Sequence, residues 1–366
     1  MTIDSLGMGG AETMLVNLVN HFTSEIKSTI ITLSDNNPLI AKLSRNDIEV
    51  IPVPRSSRYD LSPVQKIKQV IIEHKAHSIL CFDLFDFFFV HLALRGFKDH
   101  SPRIFIGVHR TYPDNVKDFV QTFMYARLLR NKDLLIAMSD NQADILSRIY
   151  MIPRSRFRVI PNGLDTGFFN PSEIHGDKIS LRQAHNIRKD AFVILQVANF
   201  SKVKRHEDSI TAFAYFRQKM DGGPSLLVFV GNGNELRKRT LQDIVAKEGL
   251  RNDIIFLGTH NDLRPIYKMS DCFTLSSRTE AFSMAAIEAM ALGLPCVLTD
   301  VGGARDMLRD GIDGYLVPAL RPRSLAQAWL DVYKNRAAFD PVAIRQHVVE
   351  NFSIAQCVRE YELLLG

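Results

Sequence analysis

Apolar and polar positions fall into two alternating kinds of block along this chain. Short apolar runs at residues 28–33, 48–53, 78–82, 104–108, 134–138, 192–197, 226–230, 254–257, 272–275, 296–298 and 315–317 predict buried strands. The stretches between them space their apolar residues as helices do. Met14, Leu15, Leu18, Val19 and Phe22 lie on one face of a helix, and residues 64–75, 85–94, 114–130, 208–218, 237–248, 263–269, 304–308, 324–335 and 352–365 predict further helices. Apolar strands alternating with helices define an α/β chain built on parallel sheets, the helices serving as crossovers.

With 366 residues the chain is too long for one compact core and predicts two domains of about 150–200 residues each. Turn chemistry after a short apolar run places the boundary at Val159-Ile160-Pro161-Asn162-Gly163. The expected domains are 1–163 and 164–351, followed by a terminal helix, 352–366. Before the glycine loop of Gly7, Gly9 and Gly10, only Met1-Thr2-Ile3 remain to make a strand. The first strand is therefore expected to be clipped, or the start site to have been assigned too late.

Composition narrows the picture little. The chain is 46% hydrophobic and 23% charged, with a formal net charge of +5, as in an ordinary globular protein. No apolar run reaches the ~18–20 residues of a membrane helix, and no signal-peptide pattern opens the chain. Cys81, Cys272, Cys296 and Cys357 lack metal-ligand spacing and read as buried thiols of a cytoplasmic protein. The mild positive charge permits peripheral contact with anionic lipid headgroups but is no nucleic-acid footprint. Oligomeric state is not legible.

The richest stretch runs from Thr274 to Gly303, a strand, a polar loop, a helix from about Ser283, and a stop at Gly293-Leu294-Pro295 before the next strand. Glu280 lies in the loop and Glu288 inside the helix, whose side chains lean back toward the loop. The first-turn amides around Ser283, Met284 and Ala285 form an anion site between them. A diol, a phosphate and a second polyol would match this layout, as in a nucleotide sugar. The bland alternative is an amphipathic helix with a capping loop and one solvated Glu, and spacing alone does not choose between the two.

Glu280 and Glu288, followed by Ala289-Met290-Ala291, Gly293, Pro295, Asp300 and Gly302-Gly303, closely resemble the signature of glycosyltransferase family 4. Its members are retaining, nucleotide-sugar-dependent enzymes with two Rossmann-like, doubly wound α/β domains facing across a cleft, the GT-B fold. Where the family has Glu-Gly-Phe-Gly, this chain has Glu280-Ala281-Phe282-Ser283. The resemblance implies a donor site made by Gly9, Gly10, Asn199, Lys204, Gly231, Leu257, Phe282, Ser283, Met284 and Glu288. It implies catalytic roles for His109, Lys204 and Glu280. His109 ends the 104–108 strand, where open sheets bind ligands; His91 is a weaker competitor. Lys204 matches the family's diphosphate-binding Lys, whereas Asn199 stands at the position of its usual Arg partner. Lys202, Arg205, Arg127 and Arg130 read as solvated, and Phe87, Phe88 and Phe89 as a buried helix or an acceptor wall.

The resemblance therefore implies transfer of a hexose or N-acetylhexosamine from a nucleotide sugar, with uridine favoured as the base, to a glycan or lipid-linked acceptor. Bacterial surface polysaccharide synthesis is the commonest setting. No Asp-x-Asp motif is present, so no metal and no other cofactor is expected. A sugar-nucleotide epimerase and a non-catalytic nucleotide-sugar-binding protein are the alternatives. A nicotinamide enzyme is disfavoured because neither glycine loop is a clean Gly-x-Gly-x-x-Gly.

Overall fold

In the computed structural model, residues 1–7, 9–57, 60–97, 101–113 and 115–366 are described. They form two units, Met1–Gly163 together with Ile354–Gly366, and Leu164–Ser353. The first unit contains β1 (Thr2–Ile3), α1 (Gly10–His21), β2 (Thr29–Thr32), β3 (Glu49–Pro52), α2 (Pro63–Glu73), β4 (Ser78–Cys81), α3 (Leu84–Ala93), β5 (Arg103–Gly107), α4 (Val116–Ala126), β6 (Leu134–Ala137), α5 (Asp140–Tyr150) and β7 (Phe157–Val159). All its strands pair in parallel, in the order β3-β2-β1-β4-β5-β6-β7.

The apolar runs are continuous because both sheet faces are covered. Ile79, Cys81, Ile104 and Ile106 face one core, with Phe87, Phe89 and Ala143 from the helices. Leu80, Phe82, Phe105 and Ile136 face the other, with Leu15, Leu18 and Val19 of α1. β1 is short but central: Thr2 is in register with both Ile31 and Cys81.

The second unit contains α6 (Lys178–Ala184), β8 (Phe192–Val197), α7 (His206–Lys219), β9 (Ser225–Val230), α8 (Glu235–Lys247), β10 (Ile254–Gly258), α9 (Arg264–Met269), β11 (Cys272–Leu275), α10 (Met284–Ala291), β12 (Cys296–Thr299), α11 (Ala304–Met307), β13 (Gly314–Val317), α12 (Pro322–Lys334) and α13 (Pro341–Phe352). Its parallel order is β10-β9-β8-β11-β12-β13. In each sheet the strand order reverses once, at β1/β4 and at β8/β11, which is where open parallel sheets bind ligands.

The last helix, α14 (Ile354–Leu365), belongs to the first unit. Val358 and Tyr361 enter the α1 core, and Glu362 accepts from the Thr23 N–H at 2.6 Å. A Cβ on Gly163 would come within 2.7 Å of both Ile354 and Cys357, so only glycine lets the crossover pass this helix.

Three expectations need correction. The terminal helix starts at Ile354, not Phe352, because Ser353 is extended (φ −70°, ψ 149°) and separates it from α13. Helix α13, absent from the sequence reading, packs on α10. The helix expected over 114–130 spans Val116–Ala126; Asp114 lies outside the described residues.

Candidate active site

The second unit gathers its polar groups at the carboxyl ends of β8 and β11, neighbours in the sheet. The Lys204 ammonium and the Glu280 carboxylate form a half-buried ion pair. Ser277 Oγ donates to the same Glu280 oxygen at 3.2 Å. The Lys204 loop is fixed from below: Ser276 Oγ lies 3.0 Å from the Lys204 carbonyl and 2.8 Å from that of Arg205. Buried Ser209 bridges Ser276 at 2.9 Å and Gln196 at 2.7 Å.

Glycine makes the close approaches possible. A Cβ on Gly302 would stand 1.7 Å from the Glu280 carbonyl oxygen, and Gly302 has a left-handed φ of +56°. Gly231, at φ +144°, leaves no room either, since its Cβ would lie 2.1 Å from the Ala198 carbonyl oxygen. The glycine turn after β9 and the Gly302-Gly303 pair thus hold the loops carrying Asn199 and Glu280 in register.

Helix α10 starts as its sequence predicts. Ser283 is the N-cap, its Oγ accepting from the Ala286 N–H at 3.3 Å. The amides of Met284 and Ala285 have no intrahelical acceptor at a helix N-terminus. Gly293 takes the left-handed stop at φ +79°, where Pro341 of α13 closes over it. Arg345 of α13 donates to the carbonyls of Ala291 at 2.7 Å and Thr166 at 2.9 Å. Glu288 has its own partner, the Tyr267 hydroxyl at 2.7 Å. Burial raises the Glu288 carboxyl above its ordinary value and, with Glu288 beside it, pushes the Tyr267 hydroxyl well up.

Other assigned residues divide. Leu257 sits at a break in register between Phe256 and Gly258, so it leaves the ladder with β9. Its carbonyl lies 3.2 Å from the ring of His260. The Phe282 ring is buried against Phe352, with centroids 5.6 Å apart, so only its backbone faces any ligand. Asn199 is exposed, its side-chain oxygen accepting from the Ser201 N–H at 3.4 Å. Lys202 is exposed as expected, but Arg205 is not: it is half-buried and paired with Asp208 at 2.7 Å and Glu207 at 2.9 Å.

In the first unit, Gly9 is the N-cap of α1 with no side-chain cap bond. The Glu12 carboxylate folds back to within 2.1 Å of where a Gly9 Cβ would stand, while the space beside Gly10 is open. His109 follows β5, stacks on Phe82 with centroids 5.3 Å apart, and leaves Nε2 buried without a partner. Burial lowers its pKa to about 4, so the ring is neutral at pH 7. His91 packs on Phe87 at the far end of α3. Phe87 and Phe89 are core residues and Phe88 stacks on Tyr125, so none of the three forms a cavity wall. That part falls to Leu84 and Phe85.

Sequence reasoning missed Tyr267 and Ser276, which lie far from their partners in the chain, and also Ser277, three residues from Glu280. It also missed Asp83, an acid directly after a strand, whose position was signal enough. Among the described residues no cluster of three His, Cys, Asp or Glu could hold a metal ion, and no helix is long and apolar enough to cross a membrane.

Two family models match consecutive parts of the chain. Residues 8–168 match Glycosyltransferase Family 4, and residues 177–351 match Glycosyl transferases group 1. With the two doubly wound sheets they define the class: this is a GT-B glycosyltransferase of the family 4 type. Among curated relatives, it is 29% identical over 190 residues to N-acetyl-alpha-D-glucosaminyl L-malate synthase of Bacillus anthracis, covering 51% of this chain and 49% of that one. It is 30% identical over 209 residues to D-inositol 3-phosphate glycosyltransferase of Actinosynnema mirum, covering 55% and 49%. The match thus spans about half the length of these relatives. The Anabaena Alr3699/HepE structure in complex with UDP and glucose shares the fold, with a TM-score of 0.82 at 18% identity, over 100% of this chain and 98% of the other.

Proposed function

We propose that the chain transfers a hexose or N-acetylhexosamine, with retention of configuration, from a UDP-sugar to a hydroxyl of a glycan or glycolipid. The observation that carries this reading is the arrangement at β8 and β11, where Lys204 is paired with Glu280 beside the open first-turn amides of α10. The ammonium and the amides provide the preorganised positive potential that a departing diphosphate requires. Glu280 holds Lys204 in place before the donor arrives, and Glu288, oriented by Tyr267, accepts from the donor ribose hydroxyls. The backbones of Gly231, Leu257 and Phe282 line the nucleotide; Gly9 and Gly10 allow close approach in the other unit, where His109 is the catalytic candidate. No resident metal or cofactor is required by this scheme.

UDP bound to the related fold and N-acetylglucosamine in a relative's name support the choice of donor. The same relatives' names carry L-malate and D-inositol 3-phosphate, so an acceptor that is not a glycan is the second reading. A thermal-shift screen of UDP- and GDP-sugars, followed by NMR of the fresh product, tests the proposal. UDP-sugars should stabilise the protein most, and the product should keep the donor's anomeric configuration. An inverted product, or epimerisation without an acceptor, would overturn it.

A further inference from the structure

The first unit holds a cavity of about 1000 Å³ whose lining includes none of the donor-binding residues named above, although the catalytic candidate His109 stands in its wall. It opens where the strand order reverses between β1 and β4, and its walls come from residues that follow strands: Asp4 after β1, Asp35 after β2, Asp83 after β4 and His109 after β5. Its volume is ample for a sugar ring.

The balance of charge decides what fits. Among the described residues, four aspartates, Asp4, Asp35, Asp83 and Asp118, and two arginines, Arg55 and Arg110, line the cavity. Both arginines are already engaged by these acids, Arg55 with Asp4 at 2.5 Å and Arg110 with Asp118 at 3.6 Å. Arg55 also lies over the Phe85 ring, its guanidinium carbon 4.5 Å from the centroid. With Arg55 and Arg110 balanced by Asp4 and Asp118, an anion entering here also faces the carboxyl groups of Asp35 and Asp83. Asp83 adds to the obstacle. Its Oδ1 accepts from the N–H groups of Phe85 at 2.6 Å and Asp86 at 2.9 Å. No hydrogen bond to its Oδ2 is present among the described residues. Behind it lies Asp86, 1% exposed with an unpartnered Oδ1.

A neutral polyol meets no such penalty. Its hydroxyls donate to carboxylate oxygens, and its C–H faces rest on rings such as Phe85, Tyr112 and Tyr125.

We infer that this cavity seats an uncharged sugar ring, and that its surplus of carboxylates excludes phosphorylated and carboxylated acceptors. The inference rests on the proposed transfer to a hydroxyl acceptor and specifies that acceptor's chemistry.

Saturation-transfer NMR and calorimetry on the full chain, with UDP present, test it. The probes are methyl α-D-glucopyranoside and methyl N-acetyl-α-D-glucosaminide against glucose 6-phosphate, glucuronate and L-malate. The neutral glycosides should bind at least about tenfold more tightly than any anion. In Asp83→Asn, where Asn still caps α3, neutral affinity should fall about tenfold with the loss of a charge-assisted bond, and the gap to the anions should narrow. Anions binding as well as the glycosides, no glycoside binding up to its solubility, or an unchanged preference in Asp83→Asn would each overturn the inference. UDP binding, measured alone, reports on the donor site independently. Glycoside selectivity without UDP affinity would remove the proposed donor and leave this cavity's assignment standing.

Discussion

The two units present the same surface, the carboxyl ends of a doubly wound parallel sheet, in opposite conditions. In the second unit the ionisable groups are satisfied at close range: Lys204 by Glu280, Glu288 by Tyr267. Glycines without room for a Cβ hold the surrounding loops together. In the first unit the walls stand back around an open volume, and among the described residues that line it acids outnumber the bases. The contrast separates two tasks. Stabilising charge that develops on a leaving group requires preorganised groups that do not move, whereas admitting an acceptor requires space and selective polarity.

The sharpest way to break this contrast is to remove the ammonium. Lys204→Ala should lower kcat by about 10²–10³, the usual cost of one preorganised electrostatic group, and raise KM far less. The variant also leaves Glu280 without its ionic partner, so Lys204→Met with Glu280→Gln is the control that removes the stranded charge. A near-normal kcat for Lys204→Ala in a steady-state assay would reduce the pair to a structural contact.

A smaller effect is expected at the nucleotide. Glu288→Ala should weaken UDP binding about tenfold to a hundredfold, since hydrogen bonds to a charged group contribute about 1.5–3 kcal/mol. Tyr267→Phe, which only frees the carboxylate's orientation, should cost less. Calorimetry showing equal UDP affinity in folded Glu288→Ala would refute the ribose role.

The smallest effect is on stability. Buried His206 sits between the Phe200 and Phe229 rings with both ring nitrogens unpartnered, and burial, then Arg237 and Lys204, lower its pKa to about 3. His109, lowered to about 4 by burial, is its counterpart in the first unit. In both cases the unfolded chain binds the proton more tightly. Their effect on stability is constant above the unfolded value of about 6.5 and turns unfavourable as pH falls from there, for His109 to about 4 and for His206 to about 3. Melting temperatures measured between pH 7 and 4.5 should drop by several degrees less in His206→Leu than in the parent. Identical slopes would show that the imidazole titrates as freely when folded as when unfolded.

What the sequence revealed follows from range. Helix α10 was legible because its signals are local, with Ser283 capping Ala286 and Gly293 in the left-handed stop. The Lys204–Glu280 pair joins residues 76 positions apart that meet only because β8 and β11 are sheet neighbours, an order no local pattern encodes. Tyr267 and Glu288 meet across a crossover for the same reason. Phe87, Phe88 and Phe89 were ambiguous because an apolar helix carries no sign of which face meets the sheet. Helix α13 was missed despite a usable cue, Asp340 as N-cap accepting from Val342 with Pro341 at the first helical position. The first-unit cavity is assembled from single residues after separate strands and has no contiguous motif to find.

The return of α14 to the first unit also sets an order of assembly. The second unit is one uninterrupted stretch, Leu164–Ser353, and every residue it needs has emerged from the ribosome once Ser353 has. The first unit, although translated first, lacks Val358, Tyr361 and Glu362 until the whole of the second unit has been made. Until then the face of α1 that α14 covers is open to solvent. Vectorial synthesis normally favours the N-terminal domain; here the topology reverses that precedence, and the nascent chain should first protect from proteolysis the domain it encodes second.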